Sequence, residues 1–414
     1  MKLWSYLKEK MEPFADRIAF AESKLTYREI LGFCKGRLPK KKIKLCDEEA
    51  KEEQAISILR GIAKGQTVIP LSKQYGIRQC KKAWEKIKQD GQVFDDVVFI
   101  MFTSGTGGEP KGVMLTDENI ISCLENIATY FHLEGMNRIC ILRSLVHISA
   151  LVGELLYALT QGLTISFFEG TFFPHTLVQH LDKNDIDVFC ATPTLFGMLA
   201  RNVKTLGIKI GAISGERLTE KQTLLIAEAF PEVQFYNVYG LTEHSPRVSA
   251  LLPEDFIRKA GSVGKPIGNV RLCIKDGELL VKSPCIMKGY YGEKKCEKIR
   301  YGWLYTGDMA HVDAEGYYYI DGRKDDMIIR AGVNLFPQET EDVLKTFPGV
   351  EDCLVYAVED ERFGQRLCAK IKGSVTTFEL RKYAAMNLPP HLLPNEYELV
   401  SELEYTASGK KRRG

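Results

Sequence analysis

The chain has 414 residues, a length that corresponds to two or three folding units. Its apolar fraction of 45% and its charged fraction of 27% exclude a disordered, collagenous or small disulfide-stapled protein. A formal net charge of +2 disfavours a nucleic-acid coat or a binder of anionic membranes, since both need a strong basic excess.

The 11 cysteines are scattered, and no two have the spacing of a zinc or redox motif. We expect them to be reduced thiols packed in the core. Residues 1–14 alternate apolar and charged side chains, unlike a secretory signal. The strongest apolar run, 97–102, is far shorter than the roughly 20 residues of a membrane span. We therefore expect a cytoplasmic protein with no nucleic-acid or membrane partner.

The first 94 residues are lysine-rich and loosely patterned. Residues 25–31 predict a strand turning into a helix, and residues 56–76 predict a helix, a glycine turn and a short strand. From residue 95 onward, short apolar runs alternate with helical stretches. The predicted strands lie in 97–102, 138–144, 163–168 and 187–193, and the predicted helices in 119–131, 150–162 and 194–203. This alternation predicts a layered α/β fold with mainly parallel strands.

The pattern changes near residue 261, where short strands are separated by Asp-Gly and Glu-Gly pairs typical of hairpins. The chain then closes with a helix in 336–347, a strand in 353–360 and a helix in 376–387. We predict a large N-terminal domain, 1–324, with a shortened first portion (1–94), an α/β part (95–260) and a β-rich subdomain (261–324). A small, mobile α+β domain, 325–414, completes the predicted architecture.

Residues 102–112 combine glycines, hydroxyl side chains and Lys111 directly after the strongest predicted strand. Glycines let backbone amides approach an anion, hydroxyls donate further hydrogen bonds, and a lysine adds positive charge. The segment is therefore suited to binding phosphate. It is not the loop of kinases and GTPases, because Lys111 precedes Gly112 and Val113 instead of following a glycine and preceding a serine or threonine.

This segment resembles the phosphate loop of the AMP-forming acid-adenylating superfamily, which includes acyl-CoA synthetases, peptide-synthetase adenylation domains and luciferases. Further motifs match in the order of the family. They are residues 237–243 (nucleotide motif), 305–308 (ribose motif), 322–325 (hinge), 388–394 and 408–410 (closing motifs). The resemblance implies ATP and Mg²⁺ as cofactors, with a carboxylic acid and a pantetheine thiol as substrates.

The resemblance also implies the roles of individual residues. Those assigned to the β- and γ-phosphates, with the glycines of their loop, are Thr103, Ser104, Gly105, Thr106, Gly107 and Lys111. Those assigned to the adenosine are Asn237, Tyr239 and Gly240, with Asp308 and Arg323 assigned to its ribose. Thr242 is assigned to the α-phosphate and Glu243 to the magnesium ion, since a carboxylate beside polyphosphate needs a cation between them.

Two residues are assigned to the moving part of the family mechanism. Lys410 is expected to bridge the attacking carboxylate and the α-phosphate, and Asp325 is expected to be the hinge about which the small domain rotates. His147 lies in a segment similar to one that borders the carboxylate pocket in acyl-CoA synthetases. The chemistry is largely electrostatic, because one anion must be brought onto another.

The sequence predicts an acid–CoA ligase that acts on an aromatic or medium-sized apolar acid. Two alternatives stay open at this point: a stand-alone adenylation enzyme that loads an acyl or aryl group onto a carrier protein, and a non-catalytic sensor of AMP or acyl-AMP. Three departures from the family pattern bear on them. The region before the phosphate loop is short, a glycine replaces a common threonine at Gly107, and the position after Ile328 is Ile329 instead of the frequent lysine.

Overall fold

The computed structural model describes residues 1–33, 42–72, 84–85, 87, 94–104, 110–170, 172–330, 333–360 and 364–404. The chain divides into two compact units. The first consists of Met1–Cys273, Leu280–Thr306 and Val312–Tyr319, and the second of Ile274–Leu279, Gly307–His311 and Ile320–Gly414. The proposed boundary between residues 324 and 325 stays a prediction.

Eight α-helical segments of the described part belong to the first unit. They are α1 Leu3–Met11, α2 Tyr27–Leu31, α3 Lys51–Ala63, α4 Asp117–Ala128, α5 Ile148–Ala150 with its continuation Leu151–Leu156 and Tyr157–Thr160, α6 Pro174–Lys183, α7 Pro193–Asn202 and α8 Glu220–Ala229. The middle part of α5, Leu151–Leu156, is π-helical. Helix α4 begins at a capping box formed by Thr116 and Asn119.

The strands are numbered along the chain. The first eleven are β1 Ile43–Cys46, β2 Thr67–Pro70, β3 Val97–Ser104, β4 Pro110–Thr116, β5 Arg138–Ile141, β6 Thr164–Phe167, β7 Val188–Ala191, β8 Ile210–Ser214, β9 Gln234–Gly240, β10 Arg247–Leu251 and β11 Lys265–Pro266. The next six are β12 Arg271–Lys275, β13 Glu278–Lys282, β14 Gly289–Tyr290, β15 Ile299–Arg300, β16 Trp303–Val312 and β17 Tyr318–Arg323.

Two sheets form the frame of the first unit, with the strand orders β1-β2-β3-β4-β14 and β11-β10-β9-β8-β7-β5-β6. The neighbours β5, β6, β7, β8 and β9 pair in parallel, which confirms the predicted α/β fold. Strands β4 and β10 instead run antiparallel to β3 and β9. In the larger sheet the chain leaves β5 for β6 on one side and continues with β7 on the other. In open α/β sheets, ligands bind at the carboxyl ends of the strands beside such a switch point.

The predicted elements from residue 95 to 203 match observed helices and strands. Two expectations about local structure were wrong. Only Thr26, in an isolated bridge with Ile18, is strand-like in 25–31, because the Thr26 hydroxyl caps α2 directly. The phosphate segment does not follow its strand entirely: β3 continues through Ser104, and β4 starts at Pro110. Lys111 therefore lies on a strand.

The core of the first unit lies against both sheets. Helix α4 buries Ile120, Leu124 and Ile127 on one face, as its apolar spacing requires. Each such side chain contributes about 1.5–3 kcal/mol through removal of apolar surface from water. The described cysteines are free thiols, but Cys273 is exposed and Cys296 is half-buried, so the expectation that every cysteine packs in the core was wrong for these two.

The second unit contains the predicted C-terminal helices and strand. Besides parts of β12, β13, β16 and β17, it contains β18 Ile328–Arg330, β19 Val333–Leu335, α9 Pro337–Leu344, β20 Val350–Asp360, β21 Gly364–Gly373, α10 Thr377–Asn387 and β22 Glu396–Leu399. Strands β20, β21 and β22 form a sheet, and Leu344, Leu367 and Leu380 are buried in its core. Asp276 and Gly277, both with positive φ, form the predicted turn between β12 and β13.

Candidate active site

The first group of predicted site residues lies on the β3–β4 hairpin. Thr103 on β3 is directly opposite Lys111 on β4, so both side chains are held at the end of a long antiparallel ladder. The side chain of Ser104, and Gly105, Thr106 and Gly107, lie outside the described residues. The hairpin therefore fixes the backbone of Lys111, although the side chain of this residue is 47% exposed.

Lys111 makes two contacts with residues on or beside β14. Its ammonium lies 2.9 Å from Glu293 Oε1 and 4.7 Å from the centre of the Tyr290 ring. Tyr290 is 3% exposed, and its register partner on β4 is Val113. The segment containing β14 therefore lies directly beside the start of β4.

The same tyrosine contacts the predicted metal ligand. The Tyr290 hydroxyl donates a 2.7 Å hydrogen bond to Glu243 Oε1, and the Lys298 ammonium lies 3.7 Å from the same oxygen. Burial and the neighbouring Glu243 carboxylate raise the pKa of Tyr290 well above its ordinary value, so the hydroxyl stays a donor. Thus Lys111 and Glu243, assigned to the same nucleotide from distant motifs, both contact Tyr290.

Glu243 and Thr242 lie on a single 3₁₀ turn, Thr242–His244, between β9 and β10. His244 Nδ1 is 2.9 Å from the carbonyl oxygen of Arg247, so this nitrogen carries the proton, and Nε2 accepts from the Ser283 hydroxyl at 2.6 Å. Burial lowers the pKa of His244 to about 4. This neutral histidine, hydrogen-bonded through both ring nitrogens, fixes the turn that carries Thr242 and Glu243.

The other residues of the nucleotide motif lie on β9. Asn237 is 3% exposed, and its side-chain amide donates a 2.7 Å hydrogen bond to the Ser262 carbonyl. Tyr239 is half-buried. Gly240 lies so close to Pro246 that a Cβ added at position 240 would be 1.8 Å from the carbonyl oxygen of Pro246. The glycine is therefore needed for the β9–β10 approach, while the adenine contact of Asn237 stays a prediction.

The predicted ribose-binding residues belong to the second unit. Arg323 Nη1 donates a 2.8 Å hydrogen bond to Asp308 Oδ1, and the Asp308 side chain is only 8% exposed. Lys324 pairs with Glu278 at 2.8 Å, and Glu278 also accepts from the Gly307 amide at 3.0 Å. The structure thus brings together Asp308 and Arg323, which the sequence assigned to the same ribose.

His147 lies where the chain leaves β5 and enters α5, and it is the residue before the first helical position. Burial, with a smaller contribution from the Arg143 charge, lowers the pKa of His147 to about 4. Arg143 itself donates to Glu154 Oε1 at 3.1 Å and to Ser214 Oγ at 3.0 Å. Neither Arg143 nor Glu154 was singled out in the sequence.

A fully buried arginine lies against α5. Arg247 on β10 is 2% exposed and is placed against the π-helical part of α5. An added Cβ at Gly153 would be 2.8 Å from Arg247 Nε. The guanidinium therefore occupies the space that a side chain at position 153 would fill.

The remaining predicted residues are placed as follows. Asp325 is exposed in the 3₁₀ turn Lys324–Asp326, and Lys410 lies outside the described residues. No group of three His, Cys, Asp or Glu side chains in the described ranges could hold a metal ion alone. Mg²⁺ commonly uses one or two carboxylates together with phosphate oxygens and water, so Glu243 beside a nucleotide is a chemically suitable ligand.

A family model described as AMP-binding enzyme matches residues 15–291, and one described as AMP-binding enzyme C-terminal domain matches residues 339–410. The chain belongs to the AMP-binding enzyme family. This membership confirms the resemblance derived from the motifs.

Named relatives of the family are similar over most of this chain. A putative acyl-CoA synthetase of Bacillus subtilis is 32% identical over 76% of this chain and 62% of its own length. A long-chain-fatty-acid–CoA ligase of the same organism is 31% identical over 76% of this chain and 60% of its own. A feruloyl-CoA synthase of Amycolatopsis is 30% identical over 77% and 69%. The chain thus spans under two thirds of the length of the two Bacillus relatives.

Solved structures share the fold. The o-succinylbenzoate coenzyme A synthetase of Bacillus subtilis, in complex with AMP, matches with a TM-score of 0.88 and 22% identity over 99% of this chain and 97% of that one. The same enzyme with ATP and a magnesium ion matches with a TM-score of 0.86 and 22% identity over 99% and 98%. These likenesses confirm the predicted two-part fold. Within the described ranges, no helix has the length and apolar character to cross a bilayer.

Several residues of this site were missed by sequence analysis. Tyr290, Glu293 and Lys298 follow no motif quoted above, although the Gly-Tyr-Tyr stretch after an apolar run was visible. His244 directly follows Glu243 and was passed over because its partners are distant in sequence. Burial of an aromatic hydroxyl cannot be derived from such patterns.

Proposed function

We propose that the protein is an AMP-forming acid–CoA ligase that requires Mg²⁺. In the first half-reaction a carboxylate oxygen attacks the α-phosphorus of ATP, the bond to pyrophosphate breaks, and acyl-AMP forms. In the second, the CoA thiol loses its proton, its sulfur attacks the acyl carbon, and AMP leaves. The observation that carries the proposal is the convergence of Lys111 and Glu243 on Tyr290 beside the β3–β4 hairpin.

This arrangement supports phosphoryl chemistry because it offers a cation and a carboxylate side by side. Lys111 would contact the negative phosphate oxygens, and Glu243 would bind Mg²⁺, which neutralises charge on the phosphates. The hydroxyls of Thr103, Ser104 and Thr106 would donate to the same phosphates, and Thr242 would donate to the α-phosphate.

The nucleoside and carboxylate contacts are further parts of this proposal. The Asp308 carboxylate would accept from the ribose hydroxyls while Arg323 holds it in place. Tyr239 would lie against the adenine. Lys410 would bring its ammonium between the acid and the α-phosphate, and rotation at Asp325 would then remove it before the thiol step.

The acid is proposed to be aromatic or of medium size and apolar, bound near His147. The carboxyl ends of β5 and β7, beside the switch point of the larger sheet, are the physical basis for this location. The names of the relatives support both aromatic and aliphatic acids, since one is a feruloyl-CoA synthase and another a long-chain-fatty-acid–CoA ligase. They also favour CoA over a carrier protein as acceptor.

The free thiols favour a reducing compartment, and we place the reaction in the cytoplasm.

Exchange of labelled pyrophosphate into ATP, measured across a panel of acids, tests the first half-reaction. We expect exchange with at least one aromatic or medium-chain acid and a strict requirement for Mg²⁺. The acyl-AMP of that acid is then incubated with CoA or with a holo-carrier protein. Transfer of the acyl group to the carrier protein but not to CoA would overturn the CoA assignment. If the protein binds ATP but no acid in the panel supports pyrophosphate exchange, the result favours the sensor.

A further inference from the structure

Tyr290 joins the two groups that the proposed function assigns to phosphate and metal. Its hydroxyl lies 2.7 Å from Glu243 Oε1, and its ring lies under the Lys111 ammonium at 4.7 Å from the ring centre. One side chain therefore contacts residues that are separated by more than 100 positions in the sequence, through two chemically different surfaces. The hydroxyl donates a hydrogen bond to the carboxylate, and the face of the ring makes a cation–π contact with the ammonium.

The backbone around Tyr290 is fixed on both sides of the site. Tyr290 pairs with Val113 on β4, and the neighbouring Tyr291 amide donates to the Gly112 carbonyl at 2.7 Å. On the other side, the Met287 amide donates to the carbonyl oxygen of Glu243 at 2.9 Å. The segment thus hydrogen-bonds to the strand that carries Lys111 and to the turn that carries Glu243.

A carboxylate that binds a metal needs a fixed orientation, and a hydrogen bond to one oxygen supplies it. The Tyr290 hydroxyl and the Lys298 ammonium both approach Oε1. With Oε1 held by these two donors, the Glu243 carboxylate would bind Mg²⁺ in one fixed orientation. The buried ring, 3% exposed, has little freedom to move away from this position.

We propose that Tyr290 is a positioning residue that orients the Glu243 carboxylate for Mg²⁺ and holds Lys111 beside that carboxylate. One side chain thus positions both the metal ligand and the cation that contacts phosphate. This inference rests on the proposed role of Glu243 as a magnesium ligand. It does not require that the acid be identified.

Three variants of the full chain test the inference. Tyr290→Phe removes the hydroxyl and keeps the ring under Lys111, whereas Tyr290→Leu removes both. Tyr157→Phe is the matched control, because its buried hydroxyl donates at 2.6 Å to the Phe131 carbonyl and has no contact with Glu243. ATP binding is measured by titration calorimetry over a series of Mg²⁺ concentrations, and pyrophosphate exchange is followed in parallel.

In Tyr290→Phe we expect the Mg²⁺ concentration for half-maximal ATP binding to rise by roughly tenfold or more, the usual effect of losing a partner of a metal ligand. ATP affinity at saturating Mg²⁺ should stay within about twofold of the wild type, because the ring still supports Lys111. Tyr290→Leu should weaken both. Tyr157→Phe should match the wild type in both.

An unchanged Mg²⁺ requirement in Tyr290→Phe would overturn the inference, as would an equal shift in Tyr157→Phe. So would ATP binding by the wild type that does not depend on Mg²⁺ at all. If no acid supports exchange but Tyr290→Phe still shifts the Mg²⁺ requirement, the positioning role stands and the ligase proposal fails. Should Tyr290→Leu fail to fold, the comparison of the two phenylalanine variants decides the matter.

Discussion

The ammonium of Lys111 lies 2.9 Å from the carboxylate of Glu293, a residue 182 positions further along the chain. The Glu293 carboxylate is therefore paired with the same ammonium group that the proposed function assigns to phosphate. The two side chains are 47% and 35% exposed, and solvent screens such pairs. Exchange of the glutamate for a phosphate oxygen should consequently be easy.

Glu293→Gln should strengthen ATP binding, because Lys111 loses a competing anion. An exposed pair contributes about 0.2–1 kcal/mol, which corresponds to at most about a fivefold fall in Kd. Titration calorimetry at saturating Mg²⁺ measures it. Asp96→Asn is the matched control, since Asp96 pairs with Lys288 at 2.7 Å and belongs to no proposed contact with the nucleotide. Weaker ATP binding in Glu293→Gln alone would contradict the competition.

Lys410→Ala should reduce adenylation by roughly 10²–10³-fold, the usual effect of removing one electrostatic stabiliser of a transition state. Transfer from supplied acyl-AMP to CoA should largely survive, because that step does not need the ammonium at the α-phosphate. Both half-reactions are measured separately, and Lys411→Ala serves as the neighbouring control. Equal losses in the two half-reactions would remove Lys410 from the assigned role.

Arg323→Met should destabilise the protein and weaken AMP binding together. The Asp308 side chain is 8% exposed, and loss of its arginine partner should lower the free energy of unfolding by about 1–3 kcal/mol. Arg366→Met is the control, because Arg366 pairs with Glu396 while the two side chains are 35% and 56% exposed. There we expect about 1 kcal/mol or less. Urea denaturation and AMP titration provide the two measurements. A loss in Arg366→Met as large as in Arg323→Met would contradict the role of burial.

The stability of the protein should depend on pH through His147. Burial and the Arg143 charge lower its pKa to about 4, whereas an unfolded histidine titrates near pH 6.5. Between these values only the unfolded state binds the proton, so the stability falls as the pH drops, by at most about 1.4 kcal/mol per pH unit. His147→Asn should remove this dependence.

The measurement is urea denaturation of wild type and His147→Asn from pH 8 to pH 5. The stability of the wild type relative to the variant should be constant between pH 8 and pH 7 and should then fall by about 2 kcal/mol by pH 5. Parallel curves over the whole range would show that His147 is not held neutral by the fold.

The elements between residues 95 and 203 could be predicted because their signals are local. The apolar run of β3, and the alternation of short strands with helical stretches after it, determine type and order without tertiary information. The family motifs assigned Asp308 and Arg323 to the same ribose, but the 2.8 Å hydrogen bond between them was not predicted. Each of these predictions depends on residues that are close in sequence or on a recognised spacing.

The contacts of Tyr290 could not be predicted in this way. Its partners Lys111 and Glu243 are brought near it by strand pairing between β14 and β4 and by the amide of Met287, none of which leaves a periodic trace. The start of β4 at Pro110 was missed for a similar reason, since glycine and proline normally mark a loop and here the antiparallel ladder overrides them.

The closeness of Arg247 to Gly153 makes these two positions interdependent during sequence change. A side chain at 153 requires the guanidinium of Arg247 to move or the residue at 247 to become shorter, because the guanidinium already fills that volume. Helix α5 and strand β10 are far apart in the chain, yet a substitution in one restricts which substitutions the other can accept. A recombined α5 that carries a larger side chain at position 153 would therefore require a compensating change at position 247.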